Sequence, residues 1–245
     1  MPDTVERPSD RLIIALDYPD LAPALDMADR IGDRVGMLKV GLELFNSAGP
    51  RAIEALRERR ARVFYDCKFY DIPNTVAGAA AAAARMGVSM LNVHALGGRA
   101  MMEAAKESAL RGAREAGVDP PAVIAVTVVT SLGDREVRDE LGLADAGERA
   151  VLRLSLLAKE AGLDGVVAAV REAPEIKRVC GTEFLVVTPG IRPKWAAVGD
   201  QARAAAPGEA LAAGADYLVI GRPVTRADDP QDALARIVNE LEGVE

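Results

Sequence analysis

The sequence predicts a single-domain (β/α)8 TIM barrel, on three observations. Eight short apolar runs rich in β-branched residues recur along the 245 residues, helix-forming segments separate them, and the hydrophobicity within each run is continuous rather than alternating. Continuous runs mark strands covered on both faces, which is the signature of a parallel sheet. Eight alternations at this length fit a closed barrel better than an open doubly wound sheet, which usually carries fewer strands. No linker divides the chain, and a chain that is half hydrophobic can bury one large core.

The elements follow in order. Residues 1–10, MPDTVERPSD, are polar and proline-bearing and lack the apolar centre of a signal peptide, so they read as a short flexible leader to a barrel over 11–245. The strands are expected in RLIIALD, MLKVG, RVFYDCKF, MLNVHAL, VIAVTVV, GVVAAV, FLVVTPGI and YLVIGRPV. Between them LAPALDMADRI, AGPRAIEALRERR, VAGAAAAAARMG, RAMMEAAKESALRGAREAG and ERAVLRLSLLAKEAG have helix-forming composition and apolar spacings of three and four. The alanine tract in the third of these reads as a helix packed closely on the sheet.

Composition narrows the function. The net charge of −7 and an aromatic content of 4% argue against a general nucleic-acid binder, which needs basic patches and stacking platforms. No apolar run reaches the roughly 20 residues of a membrane span. Two cysteines, Cys67 and Cys180, form neither a disulfide framework nor a metal-binding spacing, which suits a reducing, cytoplasmic location. With one histidine, His94, and no phosphate-loop, dinucleotide or HExxH motif, a transition-metal site is not expected.

In a barrel the chemistry sits at the carboxyl ends of the strands. There the sequence places Asp17, Lys39, Asp66, Lys68, Thr130 with Ser131, Arg192, and Gly221 with Arg222. Strand alternation puts Asp66 and Lys68 on one face and Cys67 on the other, against the helices. Asp71 follows the strand, where a loop can aim it at its own site or a neighbouring subunit's. Lys39, Asp66, Lys68 and Asp71 then form an alternating chain whose members keep one another ionised; the competing reading is a structural ion-pair network closing the barrel. Gly221 and Arg222 suit a phosphate, and the polar stretch RPKWAAVGDQARAAAPG, with Trp195 and Gln201, suits a lid. His94 reads as a structural imidazole.

The stretch DCKFYDIPNTV resembles the DxKxxDIPNT signature of the orotidine 5'-phosphate decarboxylases, and ALD, LKVGLELF, VHALGG, VTVVTS, LDGVV, VTPGIRP, GDQ and DYLVIGRPVT extend the resemblance over nearly the whole chain in order. The resemblance implies a homodimeric barrel that converts orotidine 5'-phosphate to UMP and CO₂, the last step of UMP synthesis, without metal or organic cofactor. It implies that Lys68 donates the proton to C6 of the pyrimidine and that Asp66 faces the substrate carboxylate. Lys39 and the partner subunit's Asp71 complete the quartet. Asp17 and Lys39 would hold ribose hydroxyls, Thr75 from the partner would close the ribose side, and Thr130, with Ser131 beside it, would bond the pyrimidine edge. Arg192, Gln201, Gly221 and Arg222 would grip the phosphate and the closed lid, with Ile72 and Pro189 as apolar walls.

Two other readings remain. Mg²⁺-dependent sugar-phosphate decarboxylases and aldolases of the same barrel superfamily share the shorter DxKxxD pattern, whereas DIPNT, TPGIRP and GDQ favour the orotidine enzyme. A non-catalytic nucleotide sensor would have no use for a costly buried chain of charges.

Overall fold

A computed structural model describes residues 7–143, 147–196 and 205–243. Eight parallel strands close into a barrel in sequence order: β1 (Leu12–Ala15), β2 (Met37–Val40), β3 (Val63–Phe69), β4 (Met90–His94), β5 (Ala122–Val126), β6 (Gly165–Val167), β7 (Leu185–Thr188) and β8 (Tyr217–Ile220), with β8 pairing back onto β1. Each expected strand is present, and the expected helical segments fold as Leu21–Ile31, Arg51–Glu58, Pro73–Arg85, Arg99–Ala116 and Glu148–Glu160. The alanine tract of Pro73–Arg85 does pack closely: a β-carbon on Gly112 of the next helix would lie 2.5 Å from the Ala81 carbonyl oxygen.

The runs extend beyond the strands they contain, and at β5 and β6 this moves residues off the sheet. β5 stops at Val126, where the Thr127 hydroxyl donates to the Val167 carbonyl at 3.0 Å and the chain lifts away from the sheet. Thr130 and Ser131 therefore sit on a loop over the barrel mouth rather than at a strand end. β6 stops at Val167, and a 3-10 turn begins at Val170.

Strand alternation builds the interior in layers. Ile13, Met37, Phe64, Met90, Ile124, Val187 and Tyr217 form a buried apolar plug inside the barrel. Two residues further along β2, β3 and β4 the same inward face carries Lys39, Asp66 and Asn92. The sequence thus changes from apolar to charged as it rises from plug to mouth.

The opposite end is closed by polar ties. Asp164, just before β6, accepts from the Val123 N–H at 2.6 Å and from Lys106 Nζ; Asp216, just before β8, accepts from the Val186 N–H and from Lys177 Nζ, both at 2.7 Å. Pro8–Arg11, at the end of the segment read as a leader, forms a 3-10 turn whose Ser9 carbonyl accepts from the Gly36 N–H at 3.1 Å.

Candidate active site

A cavity of about 340 Å³ opens at the carboxyl ends of the strands. Lys39, Asp66 and Lys68 meet on one wall. Asp66 Oδ1 lies 2.5 Å from Lys68 Nζ, Asp66 Oδ2 lies 3.3 Å from Lys39 Nζ, and Lys39 Nζ donates onward to Asp17 Oδ1 at 3.1 Å. Lys39 and Asp66 are buried, while Asp17 is exposed at the rim.

Burial by itself would raise the Asp66 carboxyl. The neighbouring Lys39 and Lys68 charges, with hydrogen bonds from Lys68 and Asn92, outweigh it and hold the carboxyl below the ordinary aspartate range. Asp66 is therefore an anion at neutral pH, serving two ammonium groups.

The strand that carries this pair is irregular. Tyr65 pairs with Leu91 and Phe69 with Val93, so β3 advances four residues while β4 advances two, and Lys68 takes φ +50° within that step. Asn92, buried on β4, spans the break: its Nδ2 donates to Asp66 Oδ1 at 2.7 Å and its Oδ1 accepts from the Lys68 backbone N–H at 2.7 Å. The Cys67 thiol, on the outer face, donates to the Asn92 carbonyl at 3.0 Å, and burial pushes its pKa up to about 12. Such a thiol is no nucleophile at neutral pH. His94 is half-buried against Tyr70, with ring centroids 5.8 Å apart; desolvation first, and the Lys68 charge second, lower its pKa and favour the neutral imidazole.

Across the cavity stand Thr130, Ser131, Pro189, Arg192, Gly221 and Arg222. The Arg192 N–H donates to the Ala205 carbonyl at 2.9 Å, which fixes the backbone as it leaves β7. The cavity thus has an alternating charge chain on one side, two arginines on the other and the apolar plug as its floor.

Residues 10–237 match the family described as orotidine 5'-phosphate decarboxylase / HUMPS. The chain belongs to this family. It is 53% identical over 235 residues, 96% of this chain and 93% of the relative, to the orotidine 5'-phosphate decarboxylase of Moorella thermoacetica. It is 57% identical over 231 residues, 94% of this chain and 96% of the relative, to that of Alkalilimnicola ehrlichii. A crystal structure of the Lactobacillus acidophilus orotidine 5'-phosphate decarboxylase superposes with a TM-score of 0.84 at 37% identity, covering 94% of this chain and 98% of that one.

In this member of the decarboxylase/HUMPS family, ten residues singled out from the sequence line the cavity: Asp17, Lys39, Asp66, Lys68, Thr130, Ser131, Pro189, Arg192, Gly221 and Arg222. Asp71, Ile72 and Thr75 do not. All three are exposed where β3 passes into the helix Pro73–Arg85, and Asp71 Oδ1 accepts from the Ile72 N–H at 2.6 Å. Gln201 lies outside the described residues. Trp195 is half-buried with the Arg236 guanidinium 4.1 Å from its ring centroid. Asn92 is the site residue that sequence reasoning passed over, although the alternation of MLNVHAL places it inward two residues before His94. Among the described residues, no group of three or more His, Cys, Asp or Glu side chains is placed to hold a metal ion, and no helix is long and apolar enough to cross a membrane.

Proposed function

We propose that this protein decarboxylates orotidine 5'-phosphate to UMP and CO₂, with Lys68 as the proton donor. The observation that carries the reading is the Lys39–Asp66–Lys68 chain, with Lys39 and Asp66 buried and Lys68 half-buried, facing two arginines across one cavity. Ligand binding alone gives no reason to hold two charges buried against a third at the cavity wall; stabilising a charge that appears only during reaction does.

The chemistry follows from that wall. Breaking the C6–carboxylate bond leaves its electron pair on a ring carbon with no carbonyl placed to delocalise it. An ammonium already held beside that carbon stabilises the pair with little reorganisation. Lys68 Nζ then gives a proton to C6, forming the C6–H bond of UMP, and regains one from solvent after product leaves. Asp66 pairs with Lys68 and faces the departing carboxylate, while Thr130 with Ser131 suits the pyrimidine edge and Pro189 an apolar wall. Arg192, Gly221 and Arg222 hold the phosphate, whose binding energy positions the distant reacting carbon; Gln201 is assigned to the same lid. No metal or organic cofactor is needed for these steps.

The site is completed by a second copy of the chain. Leu42, Tyr70, Ile72 and Leu96 are exposed apolar side chains following β2, β3 and β4, a surface suited to burial in a homodimer. Such a dimer would bring Asp71, Ile72 and Thr75 to the partner's cavity, with Asp71 extending the charge chain. Two buried free thiols suit a cytoplasmic enzyme.

The test is ultraviolet absorbance of EDTA-treated protein with orotidine 5'-phosphate, run beside Lys68→Ala. Loss of the substrate band with the parent alone is expected. Turnover that requires added Mg²⁺, or turnover of sugar phosphates instead, would favour the other branch of the family; tight UMP binding without turnover would favour a sensor.

A further inference from the structure

The geometry points to Asn92 as the positioning residue of the reaction: its carboxamide holds the catalytic Lys68 backbone and the Asp66 carboxylate in one fixed relation. This inference rests on the decarboxylase reading and adds a residue to it.

A lysine at φ +50° costs of order 1 kcal/mol or more and persists only where its surroundings over-determine it. Here the Asn92 side chain holds the Lys68 main chain while Asp66 holds its ammonium. The β3 bulge removes Lys68 from register with β4, and Asn92 Oδ1 takes the Lys68 N–H at 2.7 Å in place of a ladder carbonyl. Its Nδ2 reaches Asp66 Oδ1, also at 2.7 Å, so one rigid amide ties the donor's main chain to the donor's counter-ion. The Asn92 main-chain carbonyl accepts the Cys67 thiol, and three consecutive residues of β3 are thus held by a single residue of β4.

The amide orientation is determined by this arrangement. Turned over, it would set its oxygen against a carboxylate and its NH₂ against an N–H. A hydrocarbon of similar size could fill the space but would leave the Lys68 N–H and one Asp66 acceptor without these partners. Asp66 Oδ1 accepts from Asn92 and Lys68 together, and Oδ2 faces Lys39, so losing the amide frees the carboxylate to rotate and the lysine to relax its backbone. Neither change touches the phosphate-facing wall of the cavity.

The expected signature is therefore a loss in kcat at nearly constant KM. Parent, Asn92→Ala and Asn92→Asp would be assayed on orotidine 5'-phosphate, with UMP affinity measured by calorimetry. Both variants are expected to lose about ten-fold or more in kcat, while KM and UMP affinity stay within about three-fold. Asn92→Asp, of the same size, supplies a second readout. Its carboxyl retains an acceptor for the Lys68 N–H but regains a donor for Asp66 only when protonated, so its kcat relative to parent should rise as pH falls. The charged or titratable groups around it are Asp66 and Lys68 on β3, Lys39 on β2 and His94 on its own strand; Asn92→Ala keeps all of these and should show no such rise.

An unchanged kcat, a parallel loss of UMP affinity, or a pH-independent ratio of Asn92→Asp to parent would each overturn the inference. If Asn92→Ala does not fold, the Asn92→Asp profile decides alone. A parent that fails to turn over removes the decarboxylase reading and this inference with it; an active parent beside fully active variants removes the inference only.

Discussion

Gly41 leaves Lys39 its place: a β-carbon on Gly41 would stand 2.9 Å from Lys39 Nζ and 3.3 Å from Asp17 Oδ1. Gly41 has φ −94° and ψ −172°, extended backbone that alanine also adopts, so no turn requires glycine here. What the position requires is room for an ammonium.

Gly41→Ala should therefore act on the site more than on the fold. The far end of Lys39 can swing aside at small cost in stability, but it then leaves Asp17 and Asp66. The expected result is a kcat/KM lower by about ten-fold with a nearly unchanged Tm. Parent-like kcat/KM would show that the site tolerates displacement of Lys39, contrary to its assignment.

How far the sequence reached depends on which interaction held each residue. Asp66, Lys39 and Arg222 were legible because strand alternation and the barrel's carboxyl edge leave few places for them. Thr130 was placed at a strand end and lies on a loop, because VIAVTVV does not reveal where Thr127 turns its hydroxyl onto β6. Asn92 went unread because a lone asparagine in an apolar strand has no local signature; its meaning comes from the β3 bulge, a relation between two strands. The left-handed Lys68 was equally invisible, since nothing in CKF asks for positive φ.

Asp66→Asn tests the charge chain through stability. The folded-state pKa of Asp66 lies below its unfolded value, so the unfolded chain binds the proton more readily at acid pH. The contribution of the charge is present in full above the unfolded value of about 3.9 and is lost as pH falls through the folded one. The Tm gap between parent and Asp66→Asn should be widest near neutrality and shrink below about pH 4. A constant gap across that range would mean that the asparagine costs only packing.

Arg222→Ala tests remote binding energy. If Arg222 grips the phosphate, its loss should lower kcat/KM for orotidine 5'-phosphate by about a hundred-fold or more while leaving the slow reaction of the phosphate-free nucleoside unchanged. Equal losses on both substrates would place Arg222 in the fold's support rather than at the phosphate.

Asp71 raises the question of whose site it serves, since it is exposed and lines no part of its own chain's cavity. Lys68→Ala and Asp71→Ala should each be nearly inactive alone. In a dimer that shares Asp71 across the interface, a mixed pair carries one site with both residues intact and one with neither. Random reassociation makes half the dimers mixed with one intact site of two, so activity should recover to about a quarter of parent. If Asp71 served its own chain, every site in the mixture would lack one residue and co-refolding would restore nothing. The recovered activity, read after co-refolding equal amounts of the two variants, therefore distinguishes a shared site from two independent ones.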